Sequence, residues 1–502
     1  MQTVLGIDVG TQSVKTIFYD FAAKKIVAEA SAPLELISAD DGTREQKAQW
    51  WIDAIRNCLS QIDSKVKSTA VAIGVSGQQH GFVPLDKEGN VLYNVKLWCD
   101  TSTAQECKEI TDRYSGGEQA LIAEVGNLIL PGYTISKVLW LKKNKPELYR
   151  KLDTILLPHD YVNYFLTGNK LMEYGDASGT GVLDIRTKKW SSKLLKAVDS
   201  EVDLSKKLPA LISAETPSGK LKEDVAKELG LPASILVSSG GGDNMMGAVG
   251  TGAVSKGVIT MSLGTSGTLY GYSDTPVIDK TLAAFCSSTN GYMPLLCTMN
   301  CTISLELTRA LLNTEISELE KLLAYTVPGS DGVITLPFYN GERSPNLPNG
   351  KGCILGLNMN NMTKANILRS SMEAAIFGMK FGLDTLRNLG FQPKEIRLTG
   401  GGSKSNIWRQ MASDIFEVPI VVPEIQEGAA LGGALQSLWA YKVANRQQTS
   451  IESIVAEHVK LNKDKSHTPI KENVKLYKSV YSEYSKYPVS YTHLTLPTKR
   501  IV

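Results

Sequence analysis

The sequence predicts an α/β protein built as two domains facing each other across a central cleft, and three observations carry that expectation. Short β-branched runs alternate with longer amphipathic stretches, the pattern of helices packed on sheets. Two passages of like character recur. GIDVGTQSVKTIFYD at 6–20 and VITMSLGTSGTLYGY at 258–272 each read as strand, glycine-containing turn, strand, so each opens its own half. A chain of 502 residues with 42% hydrophobic content also exceeds the roughly 250 to 300 residues that one core organises.

Taken in order, a strand begins at once (3–8) and turns back through the first hairpin. Residues 72–86 give another strand, turn and strand; 137–144 and 224–231 read as helices, the second leading into a strand at 234–239. The boundary falls near 247–254. Beyond the second hairpin, helices are predicted at 304–312, 316–324, 364–389 and 407–416, with strands at 395–399 and 419–422. This divides the chain into a first domain (1–247), a second (248–446), a C-terminal extension (447–488) and a segment, 489–502, that resembles translated adapter sequence and is set aside as a non-native tail. No solenoid period is visible, so the duplication is one of fold, and a cleft flanked by two domains is where small ligands bind.

Composition narrows the function classes. A formal charge of +3, with no basic stripe interleaved with aromatics, gives no support to a nucleic-acid partner. Seven cysteines without a CxxC pair suggest neither a disulfide framework nor a zinc site, and suit a reducing cytoplasm. The start lacks a basic region followed by a long apolar run, and no 18-residue apolar stretch occurs, so no membrane partner is expected. A homodimer is left open.

The chemistry concentrates in glycine-rich turns. Backbone N–H groups in such turns can converge on phosphate oxygens without side-chain obstruction. Gly10, Thr11, Gln12 and Ser13 form one such turn, with Lys15 as a mobile positive charge nearby; Gly264 and Thr265 open the other. A third cluster, LTGGGSKSNIWRQM at 398–411, places Gly401 and Gly402 after a strand and Ser405 and Asn406 at a helix start, where a flat ring or phosphate could lie against the backbone. It is neither GxGxxG with an acidic ribose partner nor GxxxxGK[ST]. A Gly-Thr hairpin turn alone is more often plain turn chemistry, and the third cluster alone reads equally well as a tight strand-to-helix connection with a serine cap.

Asp8 ends an apolar strand beside the first turn, where a carboxylate repels phosphate unless Mg²⁺ lies between them. Asp243, in SSGGGDNMMGAVG at 238–250, sits in a glycine-rich bend at the domain junction, placed to accept the proton of a hydroxyl receiving a phosphoryl group; Asn244 could hold a second hydroxyl. Gln79 and His80, in a Gly-flanked turn, suit vicinal hydroxyls. Trp98 and Asp100 would add an aromatic wall and a hydroxyl acceptor, with core packing and capping as their plainer roles.

Together these residues resemble the FGGY family of carbohydrate kinases, from about residue 3 to 440. The match includes GIDVGT, GYTISKVLWLKKN at 132–144, GGGDN, SLGTSG, GERSP at 341–345, GLNMNNMTKANILRSSMEA at 356–374 and GGGSKSN. GQQHG, LPHDYVNYFLTG and GDASGTGVLDIRTKKW look most like the xylulose-phosphorylating branch. The resemblance implies two actin/hexokinase-like, ribonuclease H-like domains, with ATP as co-substrate and Mg²⁺ as cofactor. It makes Asp243 the catalytic base and puts Gln79 and His80 in the substrate segment. Asp8, Thr11, Gln12 and Ser13 match the first phosphate motif, Gly264 and Thr265 the second, and Gly401, Gly402, Ser405 and Asn406 the adenosine segment. Many relatives carry an arginine two residues beyond the equivalent of Asp100, where this chain has Ser102. The implied reaction is transfer from Mg·ATP to the 5-hydroxyl of D-xylulose. Its rivals are gluconate or another ketose or polyol as acceptor, and a non-catalytic actin-like nucleotide-binding protein.

Overall fold

The computed structural model of the chain describes residues 1–339, 341–347 and 349–487, so the tail at 489–502 lies outside the described residues. The chain forms two compact units that interleave along the sequence. One comprises Met1–Ser255, Tyr272–Pro294 and Glu427–Val459, the other Lys256–Gly271, Leu295–Gln426 and the residues from Lys460 onward. Where the linear reading assigns 248–446 to the second domain, the helix Gly428–Ala444 belongs with the first unit. The reason lies in glycine packing.

The first unit is organised by a sheet of strands β1 (Thr3–Val9), β2 (Ser13–Asp20), β3 (Lys25–Pro33), β4 (Ala70–Gly77), β5 (Gly219–Lys220), β6 (Leu236–Val237) and β7 (Gly241–Gly242). Their order is β5-β6-β4-β1-β2-β3, with β7 also pairing β4. Strands β1, β2 and β3 form an antiparallel meander, whereas β4 runs parallel to β1 and both β6 and β7 run parallel to β4. Because side chains alternate along a strand, Leu5, Ile7 and Val9 point to the face covered by the helix Ala48–Ser60, whose Trp51, Ile52 and Ile55 are buried in the same cluster. Full burial of each such side chain stabilises by about 1.5 to 3 kcal/mol.

The alternate positions meet a different surface. A Cβ on Gly6 would lie 2.0 Å from the Ala430 carbonyl oxygen, and one on Gly74 1.9 Å from that of Gly433. The helix Gly428–Ala444 therefore rests almost backbone to backbone on β1 and β4, and only glycine in the strands permits that approach. Its residues Ala430 to Ala440 are buried on all sides, as expected for a helix apolar around its circumference.

The second unit contains β8 (Val258–Leu263), β9 (Gly267–Gly271), β10 (Tyr292–Thr298, from Leu295 onward in this unit), β11 (Glu395–Thr399), β12 (Ile420–Pro423) and β13 (Leu461–His467), in the order β10-β9-β8-β11-β12-β13. β8 and β9 form the second hairpin, and β11 runs parallel to both β8 and β12. The helix Lys364–Asn388 starts at Thr363, whose hydroxyl accepts from Asn366 N, and buries Leu368, Met372, Ile376 and Leu383. The helix Lys471–Tyr484 is pinned to it: Tyr477 Oη donates to Glu373 Oε1 at 2.9 Å and accepts from Arg369 Nη2. Residues 447–487 are thus built into the fold, the helix Ile451–His458 in the first unit and β13 with this last helix in the second.

Three elements differ from expectation for local reasons. The strand expected at 234–239 is cut to Leu236–Val237, because Gly240 takes φ of +72° and its peptide groups bond to the Gln436 side chain instead of a ladder. The second strand of 72–86, Val83–Leu85, pairs with Thr154–Leu156, since His80 at φ +63° redirects the chain. The helix expected at 316–324 opens as a 3₁₀ turn at Ile316–Glu318, followed by a helix at Leu319–Leu323.

Candidate active site

Parallel strands bring their carboxyl ends to one edge, where ligands of open α/β sheets bind. In the first unit Val9 and Gly242 both pair with Gly77, so β1, β4 and β7 end at the same level. The segments that follow them are the turn from Gly10, the turn Gln78–His80, and Asp243 with Asn244. Three sequence-predicted clusters, 65 to 230 residues apart in the chain by their numbers, thus stand side by side.

Asp243 is the first residue of the helix Asp243–Thr251, a position where the helix dipole favours a carboxylate. Its Oδ1 accepts from Asn244 N at 2.7 Å and Asn244 Nδ2 at 3.0 Å. No hydrogen bond among the described residues engages Oδ2. Burial, and after it the charges of Asp8 and Asp176, push this carboxyl up from 3.8 to about 7, a proton affinity matched to general-base work near neutrality. Asn244 Nδ2 also donates to Gln79 Oε1 at 2.9 Å, which joins the Asp243 loop to the Gln79–His80 turn. His80 is fixed from both sides. Its Nδ1 lies 2.8 Å from the Gly179 carbonyl oxygen, its ring packs against Tyr133 and Phe285, and its own carbonyl accepts from Lys137 Nζ at 2.7 Å and Thr134 Oγ1 at 3.1 Å.

The first glycine turn is held by its side chains, which leaves backbone for a ligand. Thr11 Oγ1 donates to Gln78 Oε1 and accepts from Trp98 Nε1 at 2.9 Å, so the hydroxyl is committed, and Trp98 acts here as a brace. Gly10 N closes the turn on Ser13 O, and no hydrogen bond among the described residues takes the N–H groups of Thr11 and Gln12. Lys15 pairs with Glu427 at 2.6 Å on a half-exposed surface, where an ion pair contributes little and a phosphate could compete. Asp8, half-buried, accepts from Ser76 Oγ at 2.8 Å; desolvation raises its carboxyl to about 6.

Asp100 is placed differently. It is fully enclosed, its oxygens accepting from Arg44 N, Lys96 Nζ, Ser102 N and Ser102 Oγ, so no acceptor is left for a sugar hydroxyl. Lys96 supplies the cation beside it, contacts Glu45 at 3.1 Å and lies 4.1 Å from the centre of the Trp140 ring. Ser102 Oγ accepts from this lysine at 2.8 Å.

In the second unit the hairpin turn and the third glycine cluster emerge from neighbouring strands. Ser262 pairs with Thr399, so the turn at Gly264 and the loop from Gly400 begin almost level. The carbonyls of Gly264 and Thr265 accept from Thr302 N and Cys301 N, which leaves their N–H groups without a hydrogen bond among the described residues. Gly401 is open, with nothing within 4 Å of a Cβ placed there, whereas Gly402 packs on Leu263. Ser405 caps the helix Asn406–Phe416, accepting from Trp408 N, and donates to Glu320 Oε1; Asn406 Oδ1 accepts from Arg409. These two side chains build the loop.

Residues 3–250 match the N-terminal domain of the FGGY family of carbohydrate kinases, and residues 259–441 match its C-terminal domain. The chain belongs to this family. It is similar to a xylulose kinase of Haemophilus influenzae, 42% identical over 489 residues that cover 96% of this chain and 98% of that protein. Among solved structures it superposes on a xyloylose kinase from Brucella ovis with a TM-score of 0.90 at 28% identity, covering 98% of this chain and all of that one. A gluconate kinase from Lactobacillus acidophilus gives 0.88 at 25% identity, covering 97% and 98%.

The protein is therefore a two-domain α/β carbohydrate kinase, a phosphotransferase whose family uses ATP as co-substrate. No helix among its described residues is long and apolar enough to cross a membrane. Several groups that shape this candidate site were not singled out from sequence. Gln436 accepts from Gly240 N and donates to Gly240 O, at 2.9 and 3.0 Å, and so clamps the loop that carries Asp243. Asn163 Nδ2 donates to Ser239 O at 2.8 Å, and Ser76 holds Asp8. Only Gln78 had a local signal, as the other glutamine of GQQHG.

Proposed function

We propose that this kinase transfers the γ-phosphoryl group of ATP to the 5-hydroxyl of D-xylulose, with Asp243 as the base. The observation that carries the assignment of the base is the half-buried Asp243 carboxylate, one oxygen held by Asn244 and the other without a hydrogen bond among the described residues, beside Gln79 and His80. The sugar follows from the similarity to the Haemophilus influenzae xylulose kinase over nearly the whole chain. Asp243 Oδ2 takes the proton of the 5-hydroxyl as its oxygen bonds to the γ-phosphorus, and the bond from that phosphorus to the bridging oxygen breaks to release ADP. Asn244, Gln79 and His80 hold the remaining hydroxyls. Asp100, being enclosed, acts only through the turn it stabilises.

Phosphate binding is assigned to the open N–H groups of the Gly10–Ser13 and Gly264–Thr265 turns, with Lys15 exchanging Glu427 for phosphate. The Gly401–Asn406 loop takes the adenosine. The residues present fit Mg²⁺: Asp8 and Asp243 are carboxylates raised by burial, and the charge of Asp8 raises Asp243 further, a repulsion that a divalent cation relieves. Asp8 would hold the ion, directly or through water, and the ion would neutralise charge on the transferring phosphoryl group.

A second reading, gluconate as acceptor, has the Lactobacillus acidophilus gluconate kinase in its favour. An ADP-release assay over ketoses, polyols and aldonates separates the two. D-xylulose should give the highest kcat/KM, and turnover confined to gluconate would overturn the xylulose assignment.

A further inference from the structure

The helix Thr134–Asn144 opens against the turn that carries His80, and its first residues grip that turn by the backbone. Lys137 is fully enclosed. Its Nζ donates to the His80 carbonyl oxygen at 2.7 Å and to the Gly132 carbonyl oxygen at 2.8 Å, and Thr134 Oγ1 donates to the same His80 oxygen at 3.1 Å. Residues three apart share one face of a helix, which is why both side chains reach one atom. Tyr133, just before the helix, lays its ring against the His80 ring with centres 4.9 Å apart. Gly132 is seated in turn on the segment of Trp98, since a Cβ there would lie 2.6 Å from the Trp98 carbonyl oxygen. A lysine is a costly residue for so dry a place. Burial lowers its ammonium from 10.5 to about 7, with Asp100, Cys99 and Cys107 opposing the fall and Lys96 adding to it. What the lysine supplies there is reach, an amine on a four-carbon stem that can donate to both carbonyls.

We propose that Lys137 and Thr134 are positioning residues for the sugar, holding the His80 carbonyl and with it the direction of the imidazole, a role that rests on the reading of His80 as a sugar ligand. His80 has φ of +63°, in the left-handed region that a residue with a Cβ adopts only at a cost. Left free, it would relax toward negative φ. The carbonyl and the Cβ hang on the same Cα, so a rotation about the N–Cα bond moves both, and holding the oxygen holds the ring. Relaxation would carry Nδ1 away from the Gly179 carbonyl oxygen, now 2.8 Å from it. Two donors on the His80 oxygen oppose that movement. The supports are complementary. Tyr133, Phe285 and Gly179 hold the plane of the imidazole, whereas Lys137 and Thr134 hold the backbone from which it projects.

The test is Lys137→Met, which keeps the length of the side chain, removes the donor and leaves no ammonium to desolvate. Initial rates are measured with D-xylulose and ATP each varied, in Lys137→Met, His80→Ala and the double variant. Lys137→Met is expected to raise the xylulose KM by about fivefold with the ATP KM within about twofold. Once His80 is alanine, its effect on the xylulose KM should shrink to less than about twofold, because no ring is left to misplace. A general loosening of the fold would act in both backgrounds. Thr134→Val, close in shape and milder, decides the matter should Lys137→Met fold poorly: it should raise the xylulose KM by about threefold, and again only while His80 is present. If His80→Ala raises the KM while the folded positioning variants leave it unchanged, lower kcat alone or multiply with His80→Ala, the positioning role falls and His80 stands as a ligand. If His80→Ala leaves the xylulose KM unchanged, the reading of His80 itself falls.

Discussion

Replacing Asp243 by asparagine should make the kinase more stable and nearly inactive, with a stability gain that depends on pH in a way the site dictates. Burial, followed by the charge of Asp8, raises this carboxyl from 3.8 to about 7. The unfolded chain releases the proton near the lower value, the folded chain near the upper one. Between them the folded state binds more protons, so stability falls as pH rises through that window, and the cost is complete above pH 7. At about 1.4 kcal/mol per pH unit the ceiling is about 4 kcal/mol, and partial exposure of the carboxylate brings it to about 2 to 3 kcal/mol. Asparagine keeps the outline and can still accept from Asn244 N, without any charge to desolvate.

Urea unfolding of wild type and Asp243→Asn at about pH 5 and about pH 8 measures the effect directly. The variant should gain about 2 kcal/mol or more at the higher pH and clearly less at the lower, while sugar-dependent turnover drops by about 10²-fold or more with ATP binding retained. A gain equal at both pH values, or a variant less stable than wild type at pH 8, would refute the claim that an ionised, desolvated carboxylate sits here. Normal turnover would place the base elsewhere.

Three further outcomes follow from the same geometry. His80→Ala should raise the KM for sugar by about tenfold with little change in the KM for ATP, checked by varying each substrate at saturation of the other; an effect confined to ATP contradicts its placement. Gln436→Leu removes both bonds to Gly240 and should lower kcat by about tenfold as the Asp243 loop loosens, with xylulose KM moving less. Gly74→Ala places a Cβ at 1.9 Å from the Gly433 carbonyl oxygen and should destabilise by about 1 to 3 kcal/mol in urea unfolding, whereas Gly117→Ala, at a position with open space, serves as the comparison for a left-handed glycine.

What could be read from the sequence was what local chemistry encodes. The two hairpins were legible because their turns and the alternating strands on either side lie within fifteen residues, as was the helix Lys364–Asn388 from its amphipathic pattern. Asp243, Asn244, Gln79 and His80 stood out as polar residues in glycine-rich bends that follow strands, and the parallel register then brought them together. Asp100 looked like a binding residue because a solitary Asp after an aromatic carries no mark of the lysine that neutralises it; Lys96 is four residues away, yet burial of the pair depends on Glu45 and Trp140. Asp176 and His159, both fully buried with Oδ2 and Nδ1 2.6 Å apart, were invisible as a pair for the same reason, since nothing local distinguishes a buried ion pair from two surface charges.

Gln436 shows why long-range support escapes a reading of motifs. It lies 196 residues from Gly240, in a helix whose sequence, apolar on every side, announces burial but not against what. Its position becomes intelligible through spacing. Gly428, Gly432 and Gln436 recur every four residues and so share one stripe of the helix. Along that stripe the Gly428 carbonyl oxygen lies 1.8 Å from where Gly250 would carry a Cβ, Gly432 would meet the Met246 carbonyl oxygen at 1.8 Å, and Gln436 grips Gly240. The partners run backwards, 250, 246, 240, so the helix lies antiparallel to Asp243–Thr251. One stripe therefore seats the helix that begins with Asp243 and also ties down the loop leading into it. Gly250 and Gly432 bring the backbones close enough for the glutamine to reach, and a side chain at either would lift Gln436 away from the loop before it touched the carboxylate.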